Sequence, residues 1–169
     1  MPTRDVAAAS PRQLTRPAVV SALLLAFVTA FQSLGLPQPV TGPVVNATLF
    51  LAAWLVGPLF GAAIGALTPV VALWRGILAA PLAPMVPFIG VANALQVVAA
   101  AYLRRAHVAA AVGVAAVVKW AVLSVAVRTL VDVPPPIAVA MQWPQLLTAL
   151  AGGVLAWVVG RALPAPYRP

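Results

Sequence analysis

The 169-residue sequence contains no cysteine, one histidine and two acidic residues. Without cysteine there are no disulfides, no thiolate metal ligands and no cysteine nucleophile. His107 stands beside Arg104 and Arg105, and no second histidine exists to build a metal cluster with it. Asp5 and Asp132 are the whole carboxylate inventory, which leaves little for paired acid–base chemistry. No GxxxxGK[ST] loop occurs, so the chain holds no nucleotide-binding motor. Charge of either sign is scarce: 7% of the residues are charged, where soluble domains carry roughly 25%. Ten basic and two acidic side chains cannot cover the surface of a soluble globule of this size.

What is present is hydrocarbon. Hydrophobic residues make up 63% of the chain and its mean hydropathy is +1.05. Disordered chains have the opposite composition. The expectation is one all-helical integral membrane domain over 1–169, with a basic segment 1–16, a helical bundle 17–163 and a tail 164–169. In a soluble protein the net charge of +8 would suggest nucleic acid. Here the basic residues are first read as topology signals, and no nucleic-acid partner is expected. The basic start followed by an apolar run has the look of a signal peptide. Because 17–34 leads into further spans without a small-x-small cleavage site, it reads as an uncleaved first helix.

A helix needs about 20 apolar residues to cross a bilayer. Proline and glycine divide the chain into six spans: 17–34, 44–56, 59–74, 88–103, 108–131 and 137–163. The second and third are short. Either they extend into the flanking Pro/Gly segments, or they form a tight hairpin across a thin region. Gly57-Pro58 between them suits a sharp turn with proline at a first helical position. With six spans and both termini inside, Arg4, Arg12, Arg16, Arg104, Arg105, Arg161 and Arg168 all fall on the cytoplasmic side, as the positive-inside rule requires.

Polar groups within the spans are costly and tend to be functional. Thr48, Thr68, Ser124 and Thr148 are accounted for by hydrogen bonds to their own or a neighbouring helix. Tryptophans near helix ends suit the interfacial belt, and Arg75 and Arg128 are compatible with snorkelling. The candidate solute-binding set is Gln32, Asn46, Arg75, Asn93, Gln96, Lys119, Gln142 and Gln145, gathered mainly in the outer half. Lys119 stands out, because no intramembrane acid is present to pair with it. A buried ammonium without a counter-ion loses its proton or finds an anion. Lys119 is therefore expected to face an anionic group on a small-molecule substrate. An intramembrane enzyme is disfavoured, since the spans hold no acid, His or Cys; neither catalytic nor metal-ligating residues are assigned, and no cofactor is expected. A purely structural or assembly subunit, with polar residues only gluing helices, is the alternative. Ala18, Ala22, Ala26 and Ala30 recur every four residues and make a smooth stripe on the first helix.

Six spans, both ends inside, an outer polar pocket, a small-residue stripe on helix one and no motor: this pattern resembles the substrate-binding S components of prokaryotic energy-coupling factor (ECF) transporters. The block TGPVVNATLFLAAWLVGPLFGAAIGALTPVVALWRGILAAPLAPMVPFIGVANAL, residues 41–95, is similar to the central region of S components of unassigned substrate. WPQLLTALAGG, residues 143–153, is similar to their last helix. The resemblance implies a plasma-membrane importer subunit that captures a vitamin or other micronutrient. It implies docking of the Ala18, Ala22, Ala26 and Ala30 stripe on a transmembrane scaffold partner that carries two ATPase subunits. It also implies solute binding beneath the loops 36–42, 77–84 and 132–136, with delivery by rotation of the subunit in the bilayer.

Overall fold

The computed structural model describes residues 11–163, and the fold is helical throughout, with no strand among them. In chain order the elements are α1 (Pro11–Gln32), α2 (Gln38–Leu55) and α3 (Gly57–Trp74). A 3-10 stretch (Ala80–Met85) then runs into α4 (Val86–Leu103). α5 (Val108–Val125) continues into a π-helical turn (Ala126–Leu130), and short α6 (Pro135–Ala140) precedes α7 (Trp143–Ala162). Arg4, Arg168, most of the expected basic segment 1–16 and the expected tail 164–169 lie outside the described residues.

Proline sets most of the helix starts. α2, α3, α4, α6 and α7 each carry one in the first turn, where its missing N–H costs nothing and its fixed φ favours the helix. This explains the main departure from the sequence reading. Gln38 and Pro39 open α2 after an extended Pro37, so the segment read as a stiff loop over 36–42 is largely helix. α2 and α3 each reach 18 residues, or about 27 Å at 1.5 Å per residue. They extend into their flanks and no thin region is needed. Gly57 supplies the turn between them at φ +82, a conformation that disfavours any side chain. The expected sixth span divides at Met141 and Gln142 into α6 and α7.

Short connections make consecutive long helices antiparallel. The ends of α1, α3 and α5 and the starts of α2, α4 and α7 therefore share one end of the bundle, termed here the mouth end. Arg104, Arg105, His107 and Arg161 mark the opposite, basic end. Five helical stretches, Thr15–Gln32, Gly57–Trp74, Ala80–Leu103, Val108–Leu130 and Pro135–Ala162, are long and apolar enough to cross a membrane. Leu23, Phe27, Leu59, Leu147 and Val154 all point outward, an apolar exterior that suits lipid and not water.

α2 is as long as α3 and α4 but less apolar than either, and it lies at the centre, packed on α1, α3, α4 and α7. Its polar side chains are internally bonded: the Asn46 amide donates to the Gly42 carbonyl (2.8 Å) and the Thr48 hydroxyl to that of Val44 (2.9 Å). Leu49, Phe50 and Trp54 of α2 pack with Ile64 and Val97 in the main apolar cluster. α1 is peripheral, with Val28 alone fully buried among its described side chains, and Ala18, Ala22, Ala26 and Ala30 all exposed along it.

Proline also leaves carbonyls to be satisfied. The Trp54 carbonyl would accept from residue 58 in a continuous helix, but Pro58 has no N–H. Arg104 at the end of α4 reaches across and donates to it at 2.7 Å. Partial burial, and then repulsion from Arg105, lowers the Arg104 pKa from its ordinary value. The guanidinium remains charged all the same, and the contact ties the α2–α3 turn to α4.

Candidate functional site

The same device builds one wall of a cavity. Pro69 within α3 cannot donate to the carbonyl of Gly65. Asn93 of α4 donates its side-chain amide to that oxygen across the helix pair, at 3.1 Å. With its nitrogen so engaged, Asn93 leaves its Oδ1 buried and without a partner.

The cavity lies toward the mouth end and encloses about 110 Å³, of the order that admits a benzene-sized molecule. Each of the six long helices contributes to it. Gln32 comes from α1, and Gln38, Thr41, Gly42, Val45 and Asn46 from α2. Thr68, Pro69 and Ala72 come from α3, Ile89 and Asn93 from α4, Lys119 from α5 and Gln145 from α7. Leu78, Leu82 and Met141 close it from the loops. It leads outward to a wider vestibule of about 640 Å³, which shares Gln32, Gln38, Thr41, Leu78 and Leu82 and adds Arg75 and the turn around Gly35.

Lys119 is 3% exposed. Its Nζ donates to Asn46 Oδ1 at 2.7 Å. Its protein partner is thus a neutral amide and not an acid. Asp132, the acid among the described residues, lies exposed beyond the π-helical turn. An ammonium has three donors, and one is used by Asn46. Gln32 and Asn93, which also line the cavity, carry buried side-chain oxygens, Oε1 and Oδ1, without partners. The site therefore combines one cationic donor group with residues that carry unpartnered neutral acceptors.

Five of the eight expected residues, Gln32, Asn46, Asn93, Lys119 and Gln145, are brought together here. The other three are placed elsewhere. Arg75 is exposed at the C-terminal cap of α3 and lines the vestibule. Gln142 is fully engaged outside the cavity: its Oε1 accepts from Arg128 Nε (3.1 Å) and Nη2 (2.6 Å), and its Nε2 donates to the Ala138 carbonyl. It sits in the break between α6 and α7, so it does not share a helical face with Gln145. Gln96 lies one turn past Asn93 toward the basic end, fully buried, with both amide atoms unpartnered. Conversely, Gln38 and Thr41 line the cavity outside the expected set, and Thr68, read as bonded to its own or a neighbouring helix, lines it too. The first two fall in the segment read as loop, and Thr68 also donates to the Ile64 carbonyl at 2.7 Å.

Gln96 yields a direct prediction. An orphaned buried amide costs roughly 1–3 kcal/mol, so Gln96→Met is expected to raise stability by about that amount and leave solute binding unchanged. Thermal unfolding in detergent checks the first part. A loss of stability would reveal that Gln96 is satisfied by an internal water.

Compared with protein-family models, with curated proteins and with solved structures, the chain matches none.

Proposed function

We propose that this protein is a membrane-embedded solute-capture subunit, acting as the substrate-binding S component of an ECF-type importer in the plasma membrane of a prokaryote. The observation that carries the reading is the cavity itself: it is lined by a buried lysine without a carboxylate and by two residues with unpartnered amide oxygens, in a bundle of apolar helices. Two free donors on Lys119 suit a carboxylate or similar anionic group. Gln32 and Asn93 suit N–H or O–H donors elsewhere on the same small solute. A micronutrient with one acidic group and a compact polar body has that chemistry.

Orientation follows from charge. Arg104, Arg105 and Arg161 stand at the end opposite the mouth. With that end in the cytoplasm by the positive-inside rule, the vestibule opens outward. The exposed stripe of Ala18, Ala22, Ala26 and Ala30 on peripheral α1 supports docking of a transmembrane scaffold that carries two ATPases, since small residues let helix backbones approach closely. A purely structural subunit would account for the Asn93 bond to Gly65, but gives no role to the cavity around Lys119.

Co-expression with an ECF scaffold and its ATPases tests the reading. The chain is expected to co-purify with them and to confer ATP-dependent uptake of an anionic micronutrient. Ala26→Trp is expected to abolish co-purification while solute retention by the isolated subunit persists. A stable monomer with neither partner nor ligand would favour the structural subunit instead.

A further inference from the structure

A second concavity lies far from the solute cavity. At the basic end, α5 and α7 touch where Gly153 meets Val112, and beside this contact they diverge into a groove of about 590 Å³. Its walls are apolar: Val108, Val112 and Gly113 from α5, and Leu150, Val154 and Trp157 from α7. The space beside Gly113 is open: a Cβ built there meets no atom within 4 Å. The rim at the basic end differs in character. His107 lines it. The Arg161 guanidinium is 5.0 Å from the centroid of the Trp157 ring, one helical turn closer to the bundle end than Trp157 itself. Arg105 is exposed nearby in sequence, whereas Arg104 is turned inward onto Trp54.

We propose that this groove is a binding site for an anionic phospholipid, with one acyl chain between α5 and α7 and the phosphate at His107 and Arg161. The dimensions agree. The groove spans Leu150 to Trp157 on α7, seven residues or about 11 Å along the helix, which takes most of one leaflet's roughly 15 Å of hydrocarbon. The charge agrees as well: an apolar slot whose basic rim lies at headgroup level complements a lipid with a negative head, and a zwitterionic lipid gains less there. Trp157, half-exposed at the rim, suits the interfacial layer. The proposal rests on the chain being membrane-embedded and does not depend on the solute reading.

The test is native mass spectrometry of the delipidated full chain in detergent, titrated with equal amounts of dioleoyl phosphatidylglycerol and dioleoyl phosphatidylcholine. Wild type is expected to retain phosphatidylglycerol at least about fivefold over phosphatidylcholine, the factor that corresponds to about 1 kcal/mol for one basic residue at the surface. Arg161→Gln is expected to remove that preference and Arg161→Lys to keep it. Gly113→Leu, which fills the groove without meeting other atoms at its Cβ, is expected to lower retention of both lipids. Glycerol phosphate, a headgroup without chains, is expected not to displace the bound lipid. Equal retention of the two lipids by wild type, or unchanged phosphatidylglycerol retention in both Arg161→Gln and Gly113→Leu, overturns the proposal. Displacement by glycerol phosphate overturns it too, since the site would then be one for free phosphate esters.

Discussion

Lys119→Met is expected to raise the melting temperature of the ligand-free protein and to strip it of solute. The two effects have opposite signs because the ammonium is a burden in the empty cavity and an asset in the filled one. Methionine keeps the length and apolar body of the side chain and removes a charge that is 3% exposed and met by a single neutral amide oxygen. Removing an uncompensated buried ion recovers several kcal/mol of desolvation. Orphaning Asn46 Oδ1 takes back about 1–3 kcal/mol. The net gain is roughly 1–3 kcal/mol, or several degrees in Tm for a chain of this size. An anionic solute loses two charge-assisted hydrogen bonds of about 1.5–3 kcal/mol each, which weakens binding on the order of 100-fold or more. Differential scanning fluorimetry and ligand retention on the same preparation read both effects. A variant that is less stable yet retains solute would make Lys119 a strut.

Gly152→Val has the largest expected effect on the fold. A Cβ at Gly152 would stand 2.5 Å from Asn46 Cβ and 2.7 Å from the Pro43 carbonyl oxygen. Both belong to α2, the central helix, and backbone cannot yield as a side-chain tip does. α7 must move away from α2, at a cost of about 1–3 kcal/mol or more. The added side chain also presses on Asn46, the partner of Lys119 Nζ, so solute binding is expected to fall together with stability. Gly113→Ala is the matched control. Its Cβ meets no atom within 4 Å, and the melting temperature is expected to hold or rise slightly. Equal losses in the two variants would contradict the close α2–α7 contact.

The contrast between those glycines shows where sequence reading runs out. Apolar runs between breakers were enough to place α1, α3, α4 and α5, because a lipid-facing helix must be apolar along its length. α2 was harder. Thr41, Asn46 and Thr48 make it polar, yet it is the most enclosed helix, and its polar groups bond to carbonyls of its own preceding turn. Composition registers polarity, whereas burial depends on which neighbours surround the helix. The prolines at positions 37 and 39 were equally ambiguous, since proline stiffens a loop and also opens a helix.

The cavity was partly legible for a related reason. Polar residues in an apolar chain are conspicuous, so Gln32, Asn46, Asn93, Lys119 and Gln145 could be singled out one by one. Their convergence depended on rotation about each helix axis, which amounts to 100° per residue and is lost at any break. Gln142 and Gln145 are three apart, as helical neighbours on one face would be, but the interruption after α6 sends Gln142 to Arg128. Asn93 and Gln96 share the same spacing on an unbroken helix, and there depth separates them. The carbonyl of Gly65, released by Pro69 and claimed by Asn93, carries a signal in the sequence: proline within a helix always frees the oxygen four residues before it. Only the packing of α4 on α3 says which side chain collects it.

Capture of an anionic solute in the cavity around Lys119 is open to direct test. The most direct measurement is mass spectrometry of small molecules released on denaturing the protein purified from cells in rich medium, with Lys119→Met prepared in parallel. A stoichiometric anionic compound is expected from wild type, and its loss from the variant. Wild type that releases no such compound, or the same compound at equal occupancy in both preparations, would contradict it.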